Sequence, residues 1–205
     1  MAHTKICGVT TAEQAVACAA AGASAIGLNF IAASPRRVDV TRARQISRAL
    51  RAASPKTLVV GVVADMDLDA MKALRDEAEL GCLQLHGDEP AAALSALLPH
   101  AYKAVRIAGA TDVARAAAFP GEHVLVDAKV KGALGGTGTT FDWTLVVDLA
   151  KTRKVTLAGG LTPANVAEAV RVVRPFCVDV SSGVEDATPG VKDMARVRAF
   201  IAAAR

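Results

Sequence analysis

Two side chains in this sequence have the type and setting for proton transfer, Cys7 and Asp127. Cys7 follows the short β-rich run His3–Ile6, and Asp127 closes the apolar run Val124-Leu125-Val126. A thiolate accepts a proton from carbon while a carboxylic acid opposite it donates one to oxygen, provided both face one small substrate. A free cysteine has a pKa of about 8.5, so its thiolate needs a cation or a helix N-terminus nearby. Lys5 shares a face with Cys7, and His123 and Leu125 share one with Asp127, because side chains alternate along a strand. The competing reading of Cys7, a small apolar core residue, is the one adopted for Cys18, Cys82 and Cys177. For Asp127 the competing readings are a structural hydrogen bond or a helix cap, against which stands the cost of burying a carboxylate without a purpose.

Two glycine-containing turns, Ala158-Gly159-Gly160-Leu161 and Ser181-Ser182-Gly183-Val184, have the form of a phosphate site. Glycine permits close approach, so backbone N–H groups around Gly159, Gly160, Ser182 and Gly183 can converge on an anion, and a short helix starting near Gly183 would add its positive end. Ordinary tight turns are the alternative, weakened by the recurrence of the pattern at consecutive strand ends. The run Gly132-Ala133-Leu134-Gly135-Gly136-Thr137-Gly138 fits neither nucleotide fingerprint and reads as a lid beside Asp127, with Gly135, Gly136, Thr137 and Gly138 at its centre. Ser34-Pro35-Arg36-Arg37 can present a guanidinium fork to a carboxylate; for Arg37 a solvated surface charge is the preferred reading. Gln84 and His86 end another β-rich run and are placed to hydrogen-bond a substrate, with backbone pairing the alternative for His86. No metal-ligand spacing is evident.

The elements that must position these residues follow from periodicity. Strands are expected at His3–Ile6, Ala25–Asn29, Thr57–Val63, Cys82–Leu85, Tyr102–Ile107, His123–Asp127, Val155–Leu157 and Cys177–Val180. Helices are expected at Thr11–Ala21, Thr41–Ala53, Leu68–Glu77, Pro90–Leu98, Asp112–Ala118, Asp142–Leu149, Thr162–Val173 and Lys192–Ala204. Val166, Ala169, Val170 and Val173 recur at helical spacing and mark one buried face. Thr162 and Pro163 suit the N-cap and first helical positions, and Thr11 with Gln14 has capping-box spacing. Eight β–α alternations without a linker or composition break predict an α/β fold, a single (β/α)8 TIM barrel over residues 1–205, with the site at the C-terminal ends of the strands.

Composition limits the function classes. The 205 residues are 52% hydrophobic, enough to bury a substantial core, and 24 Lys and Arg against 20 Asp and Glu leave a net charge of +4. Such a mild positive field favours anionic small molecules and is too weak to argue for nucleic acid. An aromatic content of 3% also leaves few stacking platforms for bases. Four scattered cysteines without C-x-x-C pairing predict a reduced, cytoplasmic protein. The uncharged stretch Gln14–Pro35 imitates a membrane span or signal peptide, but it is built mostly from Ala, Gly and Ser and broken by Gly22 and Asn29, so neither is expected.

Taken together, Lys5-Ile6-Cys7-Gly8, Ser34-Pro35-Arg36, Gln84-Leu85-His86-Gly87, Asp127 with Gly135-Gly136-Thr137-Gly138 and Phe141-Asp142-Trp143, and Asp179-Val180-Ser181-Ser182-Gly183-Val184-Glu185 resemble the phosphoribosylanthranilate isomerase family over nearly the whole chain. The resemblance implies a cofactor-free Amadori rearrangement in tryptophan biosynthesis, N-(5'-phosphoribosyl)anthranilate going to 1-(2-carboxyphenylamino)-1-deoxyribulose 5-phosphate. It assigns Asp127 as general acid on the ribose ring oxygen and Cys7 as general base at C2'. Arg36 would hold the anthranilate carboxylate, the glycine turns the phosphate, and Asp179 would contact the reacting region. The implied partner is that phosphorylated small molecule, with no nucleic acid or membrane, in a monomer or homodimer. Asn29 and Ile31-Ala32 depart from a more aromatic ending of the second strand in the family, and Ala64-Asp65 departs from a Val-Asn type pair. The related histidine-pathway isomerase is the nearest rival; it uses two aspartates, one of which would replace Cys7. A catalytically silent barrel that only binds phosphorylated ligands or RNA is a rival of another class.

Overall fold

In the computed structural model, residues 2–128 and 140–205 are described. The strands are β1 (His3–Cys7), β2 (Ala25–Asn29), β3 (Leu58–Val63), β4 (Cys82–Leu85), β5 (Ala101–Ile107), β6 (His123–Ala128), β7 (Lys154–Leu157) and β8 (Cys177–Val180). They pair in parallel in chain order, and β8 returns to β1 with Lys5 opposite Asp179, closing the barrel. The helices are α1 (Ala12–Ala20), α2 (Val40–Ala53), α3 (Leu68–Glu77), α4 (Ala91–Leu97), α5 (Ala110–Ala118), α6 (Val147–Thr152), α7 (Val166–Val173) and α8 (Met194–Ala203).

Two apolar layers hold this together. The larger lies between the outer faces of the strands and the helices, and includes Ile6, Leu28, Leu83, Val126, Leu157 and Val178 from the sheet with Ile46, Met71, Leu94 and Phe200 from the helices. Phe200, on α8, is the bulkiest apolar side chain among those fully buried. Inside the barrel the apolar cluster is small, Ala25, Val60, Tyr102, Ala104, Leu125 and Ala158. Polar side chains fill the rest of that interior and reach up to the mouth.

Helix starts follow local chemistry. Asp39, Asp67 and Asp193 cap α2, α3 and α8 by accepting backbone N–H groups of the first turn, satisfying donors that have no partner within the helix. Thr11 Oγ1 accepts from Gln14 N at 3.2 Å, but Gln14 Oε1 has no partner, so only half of the expected capping box forms. Other boundaries move. The helix expected from Thr162 begins at Val166, because Asn165 Oδ1 accepts from Thr162 N at 2.8 Å and closes a turn that competes with helix at that point. Of its expected face, Val166, Ala169 and Val173 are buried and Val170 is partly buried. The helix expected over Asp142–Leu149 divides into a 3₁₀ turn, Trp143–Val146, and α6, with the Asp142 carboxylate accepting from Thr144 N. Gln14–Pro35 resolves into most of α1, then β2 and the turn after it, and no helix among the described residues is long and apolar enough to cross a membrane.

Candidate functional site

At the C-terminal ends of the strands a cavity of about 350 Å³ opens. Cys7, Asp127, Arg36, Gln84, His86, Asp179, Gly159, Gly160, Ser182 and Gly183 all line it. Residues on β1, β4, β6 and β8 and in the loops after β2, β4, β7 and β8 therefore meet at one mouth, although they are far apart in the chain. Gly135, Gly136, Thr137 and Gly138, read as a lid, lie outside the described residues. Arg37 is exposed, in keeping with a surface charge.

Cys7 ends β1 with its side chain directed to the barrel interior, as does Lys5 below it. Lys5 is almost wholly buried and donates to Asp179 Oδ2 at 2.9 Å and Gln84 Oε1 at 3.0 Å. Burial by itself would lower the lysine pKa, but the Asp179 carboxylate, with Cys7 and Tyr102, outweighs it and keeps the ammonium charged. The expectation that Lys5 favours the Cys7 thiolate needs correction in its result. Burial pushes the thiol up, Lys5 and Lys192 pull it down, Asp179 pushes it up again, and the balance is a raised pKa. Burial is the largest cause, and Asp179, in contact with Lys5, offsets part of what that lysine contributes.

Asp127 closes the site on the other side. Its Oδ1 accepts from Ala128 N at 2.8 Å, which leaves Oδ2 for the cavity. His86 Nε2 lies 3.5 Å from Oδ2 and is buried with no hydrogen-bond partner. The tautomer of His86 follows from its neighbours. Gln84 Oε1 accepts from both Lys5 Nζ and Tyr102 OH, each at 3.0 Å, so the amide must donate through Nε2. That nitrogen is 3.0 Å from His86 Nδ1, which therefore accepts, and the ring proton sits on Nε2 facing Asp127. Gln84, expected as a substrate contact, is thus also the hub that connects Lys5 to His86. The loop carrying His86 is tied down by Lys103, whose ammonium donates to Leu85 O, Gly87 O and Glu89 Oε2 at 3.0, 2.6 and 3.0 Å. Tyr102 and Lys103 lie below the strand end, and sequence reading missed both.

The glycine turns after β7 and β8 lie side by side. Among the described residues no acceptor takes the backbone amides of Gly160, Ser182 or Gly183, and donors left open at a cavity rim suit an anion. A Cβ on Gly183 would collide with Leu161 O, so the two turns pack too closely for any other residue. Asn165 Nδ2 donates to Gly160 O at 2.9 Å, holding the first turn in place. The short helix expected near Gly183 is a single 3₁₀ turn, Ser182–Val184. Asp179 Oδ1, at the floor between these turns and Cys7, is buried and without a partner.

Arg36 reaches the cavity from the loop after β2. Its guanidinium is held side-on by Glu185, Nε to Oε1 and Nη2 to Oε2, both at 2.7 Å. Asn29 and Ile31 line the same cavity.

The N-(5'phosphoribosyl)anthranilate (PRA) isomerase family model matches residues 4–203. The chain belongs to this family. Among phosphoribosylanthranilate isomerases, the protein of Pseudomonas aeruginosa strain LESB58 is 50% identical over 98% of this chain and 94% of its own length. That of Myxococcus xanthus strain DK1622 is 44% identical over 99% and 96%. The solved phosphoribosyl anthranilate isomerase of Thermotoga maritima superimposes with a TM-score of 0.91 at 36% identity, covering 100% of this chain and 98% of that one. Another solved isomerase, at 35% identity and TM-score 0.88 with the same coverage, is in complex with reduced 1-(o-carboxyphenylamino)-1-deoxyribulose 5-phosphate.

Proposed function

We propose that this chain isomerises N-(5'-phosphoribosyl)anthranilate to 1-(2-carboxyphenylamino)-1-deoxyribulose 5-phosphate, a step of tryptophan biosynthesis, with Asp127 as general acid and Cys7 as general base. One observation carries the assignment of roles: a thiol and a carboxyl group line the same cavity from β1 and β6, together with open backbone amides and a guanidinium. A substrate that carries both a phosphate and a carboxylate has an anion-binding partner for each in this cavity. Asp127 Oδ2 gives its proton to the ribose ring oxygen, and the anilino nitrogen lone pair expels that oxygen as a hydroxyl, leaving a Schiff base at C1'. The Cys7 thiolate takes the proton from C2', and the electron pair of that bond neutralises the iminium to give an enolamine. Tautomerisation returns a proton to C1' and forms the ketone at C2', so no atom or electron is gained or lost and no cofactor is called on.

The surroundings support this order of events. The Nε2–H of His86 stabilises the Asp127 carboxylate as it loses its proton. Asp179 Oδ1 accepts a substrate hydroxyl or the anilino N–H, while its other oxygen remains on Lys5. Gly159, Gly160, Ser182 and Gly183 hold the phosphate through backbone amides. A relative 35% identical, with TM-score 0.88, is described as monomers of the dimeric phosphoribosylanthranilate isomerase from Thermotoga maritima; a monomer or homodimer is the assembly proposed for this chain, in the cytoplasm.

The test is turnover of freshly prepared substrate, followed by loss of anthranilate-type fluorescence without added metal or nucleotide. Cys7→Ser and Asp127→Asn should each reduce kcat by about a thousandfold, within the range for removing a positioned acid or base. Unchanged rates in both variants would defeat the assignment. The aminoaldose phosphate of the histidine pathway, assayed beside it, should turn over far more slowly; equal rates would favour the dual-substrate reading.

A further inference from the structure

Glu185 takes no part in the proton transfers, yet it is the most heavily engaged carboxylate among the described residues. It follows the 3₁₀ turn after β8, with a side chain only 4% exposed. Its Oε1 accepts from Arg36 Nε, from Lys192 Nζ at 2.7 Å and from Gly190 N at 3.0 Å, while Oε2 takes Arg36 Nη2. The Lys192 side chain is completely buried and also donates to Ser181 O at 3.2 Å, in the turn that lines the cavity. Two further side chains brace the segment from Glu185 to Lys192: Arg196 Nη1 donates to Glu185 O at 2.7 Å and Thr10 Oγ1 to Gly190 O at 3.1 Å. Burial alone would raise the Glu185 carboxyl; the hydrogen bonds and charges of Arg36 and Lys192 outweigh it and hold it at about 2.

The stem of Arg36 is routed with equal care. Gly8, at φ 72°, leaves the space that the Arg36 side chain crosses: a Cβ there would strike Arg36 Cδ and lie 3.0 Å from Ser181 Oγ. A guanidinium carries five N–H groups. Glu185 takes the Nε–H and one Nη2–H, so both Nη1–H groups and the second Nη2–H remain, and no other side chain among the described residues takes them. The remaining pair on Nη1 and Nη2 is itself a complete fork for a second carboxylate. A carboxylate on the Nε edge of Arg36 thus leaves only the outer edge for a ligand.

We propose that Glu185, backed by Lys192, is a specificity-determining positioning residue: it clamps Arg36 so that only the outer edge of the guanidinium faces the cavity, and this selects ligands that carry a carboxylate at that end. The inference rests on the reading of Arg36 as the carboxylate contact. Glu185 touches no substrate and acts through Arg36. Lys192 balances its charge, so the Arg36–Glu185–Lys192 group keeps one net positive charge for the incoming anion. An arginine without the clamp would still be positive but free to rotate, and would lose the geometry of the paired hydrogen bonds rather than the attraction.

Calorimetry with two probes tests this: the reduced product analogue, 1-(o-carboxyphenylamino)-1-deoxyribitol 5-phosphate, and the same compound lacking the ring carboxylate. The wild-type protein should prefer the first by about tenfold or more, as expected for a charge-assisted pair of hydrogen bonds. Glu185→Asp keeps the charge opposite Lys192 but cannot span both guanidinium nitrogens, and Glu185→Gln removes the charge. Both should lose most of that preference, while affinity for the probe without a carboxylate stays within about threefold of wild type. Because the ratio compares two ligands on the same sample, partial unfolding does not change it. If Arg36→Met abolishes the preference and both Glu185 variants retain it, the clamp is overturned and the reading of Arg36 stands. If the wild-type protein shows no preference, or Arg36→Met keeps it, the reading of Arg36 fails and the clamp with it.

Discussion

At the scale of single residues, the chemistry of this site turns on how burial competes with nearby charge. Cys7 has two lysines in its surroundings, but Asp179 absorbs Lys5 and Glu185 absorbs Lys192, and burial leaves the thiol raised. The sign of the consequence is definite. Below its pKa the thiolate fraction grows about tenfold per pH unit, and a raised pKa keeps Cys7 on that slope through the mildly alkaline range. Alkylation of Cys7 by iodoacetamide, located by mass spectrometry, should therefore still be accelerating between about pH 8 and pH 9. Lys5→Met should slow it further at any fixed pH, because the substitution removes a cation that lowers the pKa and frees the Asp179 charge that raises it. A plateau below pH 8, or faster alkylation in the variant, would contradict this balance of burial and charge. The same competition explains why Cys7 and Asp127 could be picked out from residue type and position, while the protonation of Cys7 could not: Lys5 lies close in sequence, but its partner Asp179 comes from the far end of the chain.

At the scale of elements, position along each strand did most of the work. Cys7, Gln84, Asp127 and Asp179 are inward-facing residues at or near the C-terminal ends of β1, β4, β6 and β8, and alternation along a strand is readable without coordinates. What the turns do was legible only in part. Glycine at 159, 160 and 183 signalled close approach, but not that Gly183 packs against Leu161 O or that the Asn165 side chain braces Gly160. The first of these contacts joins two turns whose spacing is set by the pairing of β7 with β8. Gly183→Ala should push the turns apart and raise KM for the phosphorylated substrate by about tenfold, the loss of roughly one charge-assisted hydrogen bond, with a smaller effect on kcat. Steady-state kinetics decides it, and an unaltered KM would remove this turn from the phosphate site. The late start of α7 is more local, since the Asn165 side chain is bound to Thr162 N and Gly160 O in the turn after β7 and so competes with the helix there.

At the scale of the whole molecule, the site is assembled from nearly every quarter of the chain, so occupying it should stabilise the entire barrel. With the reduced product analogue at about a hundred times its Kd, linkage adds about 2.7 kcal/mol, which for a domain of this size is roughly 5 to 10 °C in Tm. Differential scanning calorimetry should show that shift as one cooperative transition. A ligand-bound protein melting at the unliganded temperature, or in two steps, would mean that the cavity is not coupled to closure of the barrel. The sequence alone determined the architecture, because hydrophobic periodicity is local and eight repeats of it leave few ways to bury every face. It also determined the residues at the strand ends and, through their joint order, the family. Only the tertiary structure decided which charges neutralise each other: Lys5 with Asp179, Lys103 with Glu89, and Arg36 and Lys192 with Glu185. The reason is physical, since electrostatic partners are chosen by distance across a closed barrel, and residues separated by most of the chain become neighbours only when β8 meets β1.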